Sequence, residues 1–461
     1  MNKEYDLIVI GAGSGGLVVA TTAKRRGMRV AMLEKHKIGG ECTHSGCVPS
    51  KALIQSSKQL AALAHTTKYG LPSLPETKAD FASVMEHVDQ IVQGIYEHET
   101  PEVWEKQGID VYVHPSGAQF VDPHTVRIGP DSLKADHFVI CTGSSPRQLD
   151  LPGSDQVSFL DNENFWSLRQ QPDSILFVGG GVISAELGQA MARLGTQVII
   201  MDRNERILKV VDEEVAAVLK EEFRDLGVQT IGHAQLKAFR QEGKETVCEI
   251  DVDGIAQEVR AEAVLLAVGR TPNVQGMQLE NAGVAFSERG LKVNEYLQTT
   301  ASHIYACGDV ATPAKFTHVA AYQAVVCVDN IQHGNHRTND LSILPWAIFT
   351  DPEIAHVGLS EAEARKQYGD TIQVFKVNAT VDRFITDGKT KGFLKVIFGP
   401  NDKVLGADAI GAHAGEWTQM LTLVMKHDLP LEEFVYTIYS YPTYSEIVKK
   451  AITRYLRTKQ S

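Results

Sequence analysis

Apolar residues at the head of this chain fall in short runs bounded by glycine. Tyr5-Asp6-Leu7-Ile8-Val9-Ile10 reads as an apolar strand running into Gly11-Ala12-Gly13-Ser14-Gly15-Gly16. A helical pattern follows, and then a second strand, Arg29-Val30-Ala31-Met32-Leu33-Glu34. The order recurs: strand Ser174-Ile175-Leu176-Phe177-Val178, turn Gly179-Gly180-Gly181-Val182-Ile183-Ser184, helix, and strand Gln197-Val198-Ile199-Ile200-Met201-Asp202. Phe138-Val139-Ile140-Cys141-Thr142-Gly143-Ser144 predicts a buried strand ending in a turn, with Pro146 and Pro152 marking a crossover. Ala263 to Arg270 repeats that pattern, and Ile304-Tyr305-Ala306-Cys307-Gly308-Asp309 is a further strand ending at Gly-Asp. From about residue 340 the texture changes. Alternating segments such as Phe393-Leu394-Lys395-Val396-Ile397-Phe398 predict an antiparallel sheet, followed by helices to the end, an α+β domain.

Composition narrows the classes. A chain of 461 residues is too long for one core and suggests about three domains at roughly 150 residues each. The formal charge of −12 sets the surface against phosphate backbones, so nucleic acid is not an expected partner. No apolar run approaches the roughly 18 residues that span a bilayer. Glu4 and Asp6 flank the first apolar run, unlike a signal peptide. Six cysteines are too sparse for a secreted disulfide framework, and the cytoplasm is the expected compartment.

The two glycine units are in register. Gly11 corresponds to Gly179, Gly13 to Gly181, Gly27 to Gly195 and Glu34 to Asp202, while Ser184 replaces the third glycine, Gly16. One such fingerprint is weak; two in register, each after a strand and each ending on an acid, are specific. Glycines let the backbone approach a pyrophosphate, which sits on unpaired N–H groups at a helix amino terminus. The acid accepts hydrogen bonds from a ribose. Two units imply two dinucleotides.

Gly39-Gly40-Glu41-Cys42-Thr43-His44-Ser45-Gly46-Cys47-Val48-Pro49-Ser50-Lys51 carries two cysteines with four residues between them. Five helical steps rise roughly 7.5 Å, beyond the roughly 7 Å limit for bridged Cα atoms. A disulfide here therefore needs a distorted turn, which Gly46 permits, ahead of a helix that Pro49 can start. Cys47 would then lie near a helix amino terminus, where thiolate is favoured. Redox activity is the favoured reading. Two inert buried thiols, or a zinc site without a second Cys/His pair, are the alternatives.

Together with Cys141-Thr142-Gly143, Gly269-Arg270-Thr271-Pro272-Asn273, Ala306-Cys307-Gly308-Asp309-Val310 and Phe349-Thr350-Asp351-Pro352-Glu353, these segments resemble the class I flavin-dependent pyridine nucleotide–disulfide oxidoreductases. The resemblance covers essentially the whole chain. It implies an α/β fold of two Rossmann-like dinucleotide-binding domains plus a C-terminal α+β dimerisation domain. Residues 1–148 and 271–338 would form the FAD domain, 149–270 the NAD(P) domain and 339–461 the interface of a homodimer. Gly11, Gly13, Gly16 and Glu34 would hold the adenosine half of FAD, Asp309 its ribityl chain, with Gly143 and Gly308 in the same cofactor site. Gly179, Gly181, Asp202 and Gly269 would serve the nicotinamide cofactor. Cys47 would face the flavin, Cys42 would exchange with substrate, and Lys51 with Glu186 would form an ion pair beside the flavin. Electrons would run from NAD(P)H through FAD and the cysteine pair to a small disulfide, or in reverse, as in the dihydrolipoamide dehydrogenase branch.

One position departs from that pattern. In most disulfide-reducing members a histidine, offered across the dimer as acid–base partner of the cysteines, precedes a Pro-Thr pair. Here Pro442, Thr443 and Glu446 match, but Tyr441 occupies the histidine position. Tyrosine, with an ordinary pKa of about 10, is a poor base at neutral pH. The alternative function is therefore direct reduction of a quinone or a metal ion, as in the mercuric reductase-like branch. Asp382-Arg383-Phe384 and Asp387 to Phe393 resemble that branch as well. Against a dedicated mercury enzyme, the tail from Ile452 to Ser461 has no cysteine and no metal-binding domain precedes the first glycine unit. No resident metal is expected. His44 could stand in for the missing base or join the thiolates in holding a soft metal ion. Tyr439, Tyr441 and Tyr444 could equally be interface packing. Asp202 favours NADH, while Arg203 and Arg206 would admit NADPH.

Overall fold

The computed structural model describes residues 3–75 and 77–459, so Gln460 and Ser461 of the tail lie outside the described residues. Its first sheet has seven strands. Lys3–Ile10 lies at the centre, parallel to Val30–Glu34 on one side and to Asp131–Ile140 on the other. Asp110–Val113 extends it beyond Val30–Glu34, and Ile304–Ala306 pairs in parallel with Asp131–Ile140. The period-two rule explains the first strand. Leu7 and Val9 pack with Val19, Ala20 and Ala23 of helix Ser14–Arg25, whereas Ile8 and Ile10 pack on the opposite face with Phe120, Val126 and Phe138. A strand covered on both faces must be apolar where it is covered, and Leu7 to Ile10 are.

The second glycine unit builds a four-stranded parallel sheet in the order Gln229–Ile231, Gln197–Met201, Ser174–Val178, Ala263–Leu266. A three-stranded antiparallel sheet, Ala234–Glu242, Glu245–Val252 and Ile255–Ala261, packs against it through Phe239, Cys248 and Ile250. Ser144–Pro146 and Arg270–Pro272 form an antiparallel ribbon where the chain leaves and re-enters the first unit. Pro146 therefore sits in the crossover that the sequence predicts.

The last part is a five-stranded antiparallel sheet ordered Trp346–Ile348, Glu353–Gly358, Val404–Gly411, Phe393–Phe398, Gln373–Asn378. Phe393–Phe398 is antiparallel as expected but buried at every position, not half-exposed. Lys395, the residue that suggested alternation, is buried. Its Nζ is 2.9 Å from Asp212, 2.6 Å from Glu214 and 3.3 Å from Glu361. Acids from two other elements meet the charge that a solvent face would otherwise have met. Among the described residues, no helix is long and apolar enough to cross a membrane.

Candidate active site

The two glycine turns are built by the same contacts. Gly11 has φ of +100°, and a Cβ there would lie 2.5 Å from the carbonyl oxygen of Cys141. Gly179, with φ of +102°, would meet the oxygen of Ala267 at 2.4 Å. Both positions require glycine. The acids also match. Glu34 accepts from the backbone N–H of Ala12 at 2.7 Å, and Asp202 from that of Gly180 at 2.6 Å. The units differ at their third small residue. A Cβ on Gly16 would stand 1.9 Å from the oxygen of Gly11, whereas Ser184 donates its hydroxyl to the corresponding oxygen, that of Gly179.

Helix Ser14–Arg25 begins at Gly13 and helix Val182–Leu194 at Gly181, and neither amino terminus has a side-chain cap. A Cβ on Gly181, Gly143 or Gly269 would meet nothing within 4 Å, and one on Gly13 only Gly40 at 3.9 Å. Unpaired N–H groups facing open space suit pyrophosphates. One cavity of about 1850 Å³ takes in Gly11, Gly13, Glu34, Gly143, Gly308 and Asp309, then Cys42, Cys47, Lys51, Glu186, Gly181 and Gly269. Asp309 accepts from Ser144 Oγ at 2.6 Å within it. Gly16, Gly179 and Asp202 support this space from outside its lining. Donor groups, room and acids all fit two dinucleotides.

The cysteines sit where a five-residue helix, Gly40–His44, breaks before helix Cys47–Leu63. Gly46 (φ −119°, ψ −107°) makes the break, and Cys47 is the first helical residue. The turn is thus distorted as the spacing demands, and Pro49 falls in the first helical turn. Both cysteines are free thiols. Cys42 hydrogen-bonds to Cys47, and that bond lowers the Cys47 thiol to about 6, helped by Thr317 and Lys51 and opposed by burial. Cys42 is pushed up, by the same bond first and by burial next. Both shifts favour the charge on Cys47 over Cys42.

Lys51 lies one turn beyond Cys47, on the same helix face. Its Nζ is 2.9 Å from Glu186 Oε2 and 4.4 Å from the centre of the Phe349 ring. Glu186 is 4% exposed, and its other oxygen accepts from Phe349 N at 2.9 Å. An ordinary surface ion pair would leave both partners in water; this one does not. The helix of the second glycine unit thereby abuts the cysteine helix.

Other expected residues are elsewhere. Tyr441 is 70% exposed and outside the cavity lining, and Glu446 accepts from Thr443 N at 3.1 Å at the head of helix Glu446–Lys459. A single chain does not bring either to the cysteines. His44 lines the cavity, but its Nε2 lies 2.7 Å from the carbonyl of Ile38 and its ring packs edge-on against Tyr96. It is committed to the loop and is not engaged with the thiols.

The sequence gives no sign of two features. Thr317 Oγ1, at the start of helix Thr317–His333, is 3.3 Å from Cys47 Sγ. Glu41 pairs with Arg270, and its other oxygen accepts from Asn162 at 2.8 Å. Burial pushes the Glu41 carboxyl up to about 7 against the pull of Arg270. Glu41 and Arg270 each stand in a motif that the sequence shows, but nothing in it pairs them.

Comparison with known proteins agrees with this geometry. Residues 5–324 match the family "Pyridine nucleotide-disulphide oxidoreductase", and residues 344–452 match that family's dimerisation domain. The chain is 33% identical to a mercuric reductase of Staphylococcus aureus over 97% of its own length and 82% of the relative's. It is 31% identical to a dihydrolipoyl dehydrogenase of Bacillus subtilis (strain 168), over 97% of both. Among solved structures, the copper(II) complex of the HOCl-induced flavoprotein disulfide reductase RclA from Escherichia coli superposes with a TM-score of 0.87. That match is at 26% identity and covers 98% of this chain and 99% of that one. FAD and a pyridine nucleotide are the cofactors that such relatives imply. By sequence, fold and site, this chain belongs to the pyridine nucleotide–disulphide oxidoreductase family.

Proposed function

We propose that the protein passes electron pairs from NADH, through bound FAD, to the Cys42–Cys47 pair and on to a small disulfide. The observation that carries this reading is the placement of the pair: Cys47 opens a helix with Thr317 Oγ1 3.3 Å from its Sγ, and Cys42 is beside it in the cavity that fits the dinucleotides. FAD, when bound, supplies the hydride chemistry. Gly11, Gly13, Gly16, Gly143, Gly308, Glu34 and Asp309 would hold it, and Gly179, Gly181, Gly269 and Asp202 the nicotinamide cofactor. Lys51 and Glu186 fix the electrostatics beside Cys47. Residues 1–148 with 271–338, 149–270 and 339–461 would be the three working units, acting as a homodimer.

NADH is favoured over NADPH by two side chains. Asp202 stands at the strand end, where a carboxylate would accept a ribose hydroxyl and repel a 2′-phosphate. Arg206, which could have received that phosphate, is bound to the carbonyls of Leu208 at 2.8 Å and Val211 at 2.7 Å.

A second reading rests on the missing base. To attack a disulfide, Cys42 must lose its proton. His44 is held on Ile38, and Tyr441 is a poor base. Quinones and soft metal ions need less proton transfer at Cys42, so they are the alternative acceptors. Steady-state NADH oxidation with lipoamide, glutathione disulfide, a quinone and a mercuric salt separates the readings. Disulfide turnover that is lost in Cys42→Ser supports the first. Quinone turnover that dominates and survives Cys42→Ser overturns it.

A further inference from the structure

The residues around Cys42 are tied to separate parts of the chain. Thr43 Oγ1 donates to Glu99 at 2.8 Å, and His44 is held on the carbonyl of Ile38. The carbonyl of Ser45 accepts from Trp166 Nε1 at 2.8 Å. Glu41, immediately before Cys42, divides its carboxylate. One oxygen meets Arg270, and the other accepts from Asn162 Nδ2 at 2.8 Å.

Arg270 is the node of this arrangement. Its Nε donates to Ser144 Oγ at 2.7 Å and its Nη1 to Asn162 Oδ1 at 3.2 Å. Its Nη2 donates to the Ser144 carbonyl at 2.6 Å as well as to Glu41. A guanidinium presents its donors in one rigid plane, so these partners together fix where Glu41 stands. The Arg270 side chain is 13% exposed, so bulk water does not compete for these bonds as it does at a surface pair. Asn162 reaches the cysteine segment from the second glycine unit, since Leu160 pairs with Leu265 of that unit's sheet. Trp166 Nε1 also donates to the carbonyl of Asn162 at 2.8 Å, which braces the same contact.

We propose that Glu41 and Arg270, with Asn162, form a latch that positions Cys42 on Cys47 and so sets the dithiol–disulfide equilibrium of the pair. The proposal rests on the reading of Cys42 and Cys47 as the redox pair. A loop that holds two thiols together raises the effective concentration of one at the other and favours the bond between them. Against oxidised dithiothreitol, Cys42 and Cys47 lose two electrons and two protons as their S–S bond forms. The reagent's own S–S bond takes them up and opens to its dithiol. Glu41, Arg270 and Asn162 act through the loop, as positioning residues.

The test uses the full-length flavoprotein, equilibrated anaerobically in dithiothreitol buffers of graded ratio, then alkylated and mapped by mass at Cys42 and Cys47. Glu41→Ala should shift the equilibrium toward the dithiol by about tenfold, which raises the midpoint potential of this two-electron couple by about 30 mV. Asn162→Ala, which leaves the cysteine segment untouched, should move it the same way by less. Adding Arg270→Lys to Glu41→Ala should shift it no further, because the latch is already open. The flavin-to-protein absorbance ratio should stay at the wild-type value in Glu41→Ala and Asn162→Ala. A wild-type equilibrium in both of these variants overturns the latch. So does loss of flavin from them, which would make Glu41 a cofactor ligand instead. If the wild type forms no reversible Cys42–Cys47 bond, the redox reading fails and the latch with it; a reversible bond that the variants leave unchanged sinks the latch alone.

Discussion

The phenol of Tyr441 donates a hydrogen bond to the carboxylate of Asp382, on the short helix Asp382–Thr386. Tyr444 donates in the same way to Asp387. The two runs that resemble the mercuric reductase-like branch are therefore the segments that hold these tyrosines. The bond to Asp382 raises the Tyr441 phenol above its ordinary value, so it keeps its proton at neutral pH. A positioned base typically accelerates proton transfer by about 10²–10⁴-fold. Tyr441→His should therefore raise kcat/KM for lipoamide by at least about tenfold, measured by NADH-coupled absorbance. An unchanged value would show that a missing base does not limit turnover.

The Cys47 thiol, lowered to about 6 by Cys42, Thr317 and Lys51, gives a pH prediction. A depressed acid is ionised above its own value, so the thiolate forms as pH rises through about 6 and is lost below it. The ultraviolet thiolate absorbance of the reduced protein, less that of Cys47→Ser, should show this midpoint. Thr317→Val and Lys51→Met each remove a lowering contribution and should move the midpoint upward. A downward move, or none in either variant, contradicts the arrangement.

Much of this was legible in the sequence wherever the constraint is local. Gly11 and Gly179 take positive φ of +100° and +102° at a strand-to-helix turn, and Glu34 and Asp202 bond Ala12 and Gly180 within the same unit. Thr317 and Arg270 act on the cysteine segment from far along the chain, and no periodicity connects them to it. Lys395 misled for the same reason. Its polar character suggested a solvent face, but its partners belong to distant elements.

The contrast between Gly16 and Ser184 predicts unequal tolerance. Gly16→Ser would place a Cβ 1.9 Å from the Gly11 oxygen, so bound flavin should be lost or the protein should fail to fold. Ser184→Gly removes one buried hydrogen bond, and should cost about 1 kcal/mol with flavin content intact. The flavin-to-protein absorbance ratio and the Tm report both. Equal effects would sink the steric account.

Lys395 joins the C-terminal sheet to helix Glu213–Asp225, its Asp212 cap and helix Glu361–Tyr368. The ammonium is buried, but Glu214 and Glu361 keep 48% and 26% of their side chains in water, so removing it should cost about 1–3 kcal/mol, less than a fully buried pair. Lys395→Met should lower the unfolding free energy by that order, read as a lower urea midpoint. A midpoint within error of wild type would mean that solvent already screens these acids.

The central claim is that Cys47 carries the charge beside the flavin while Cys42 carries the proton. An anaerobic NADH titration of the flavin-loaded protein tests it most directly, by following absorbance beyond the flavin's own bands. The account predicts a long-wavelength thiolate–flavin band in wild type that is absent in Cys47→Ser and persists in Cys42→Ser. A band that survives Cys47→Ser, or one that only Cys42→Ser removes, would contradict it.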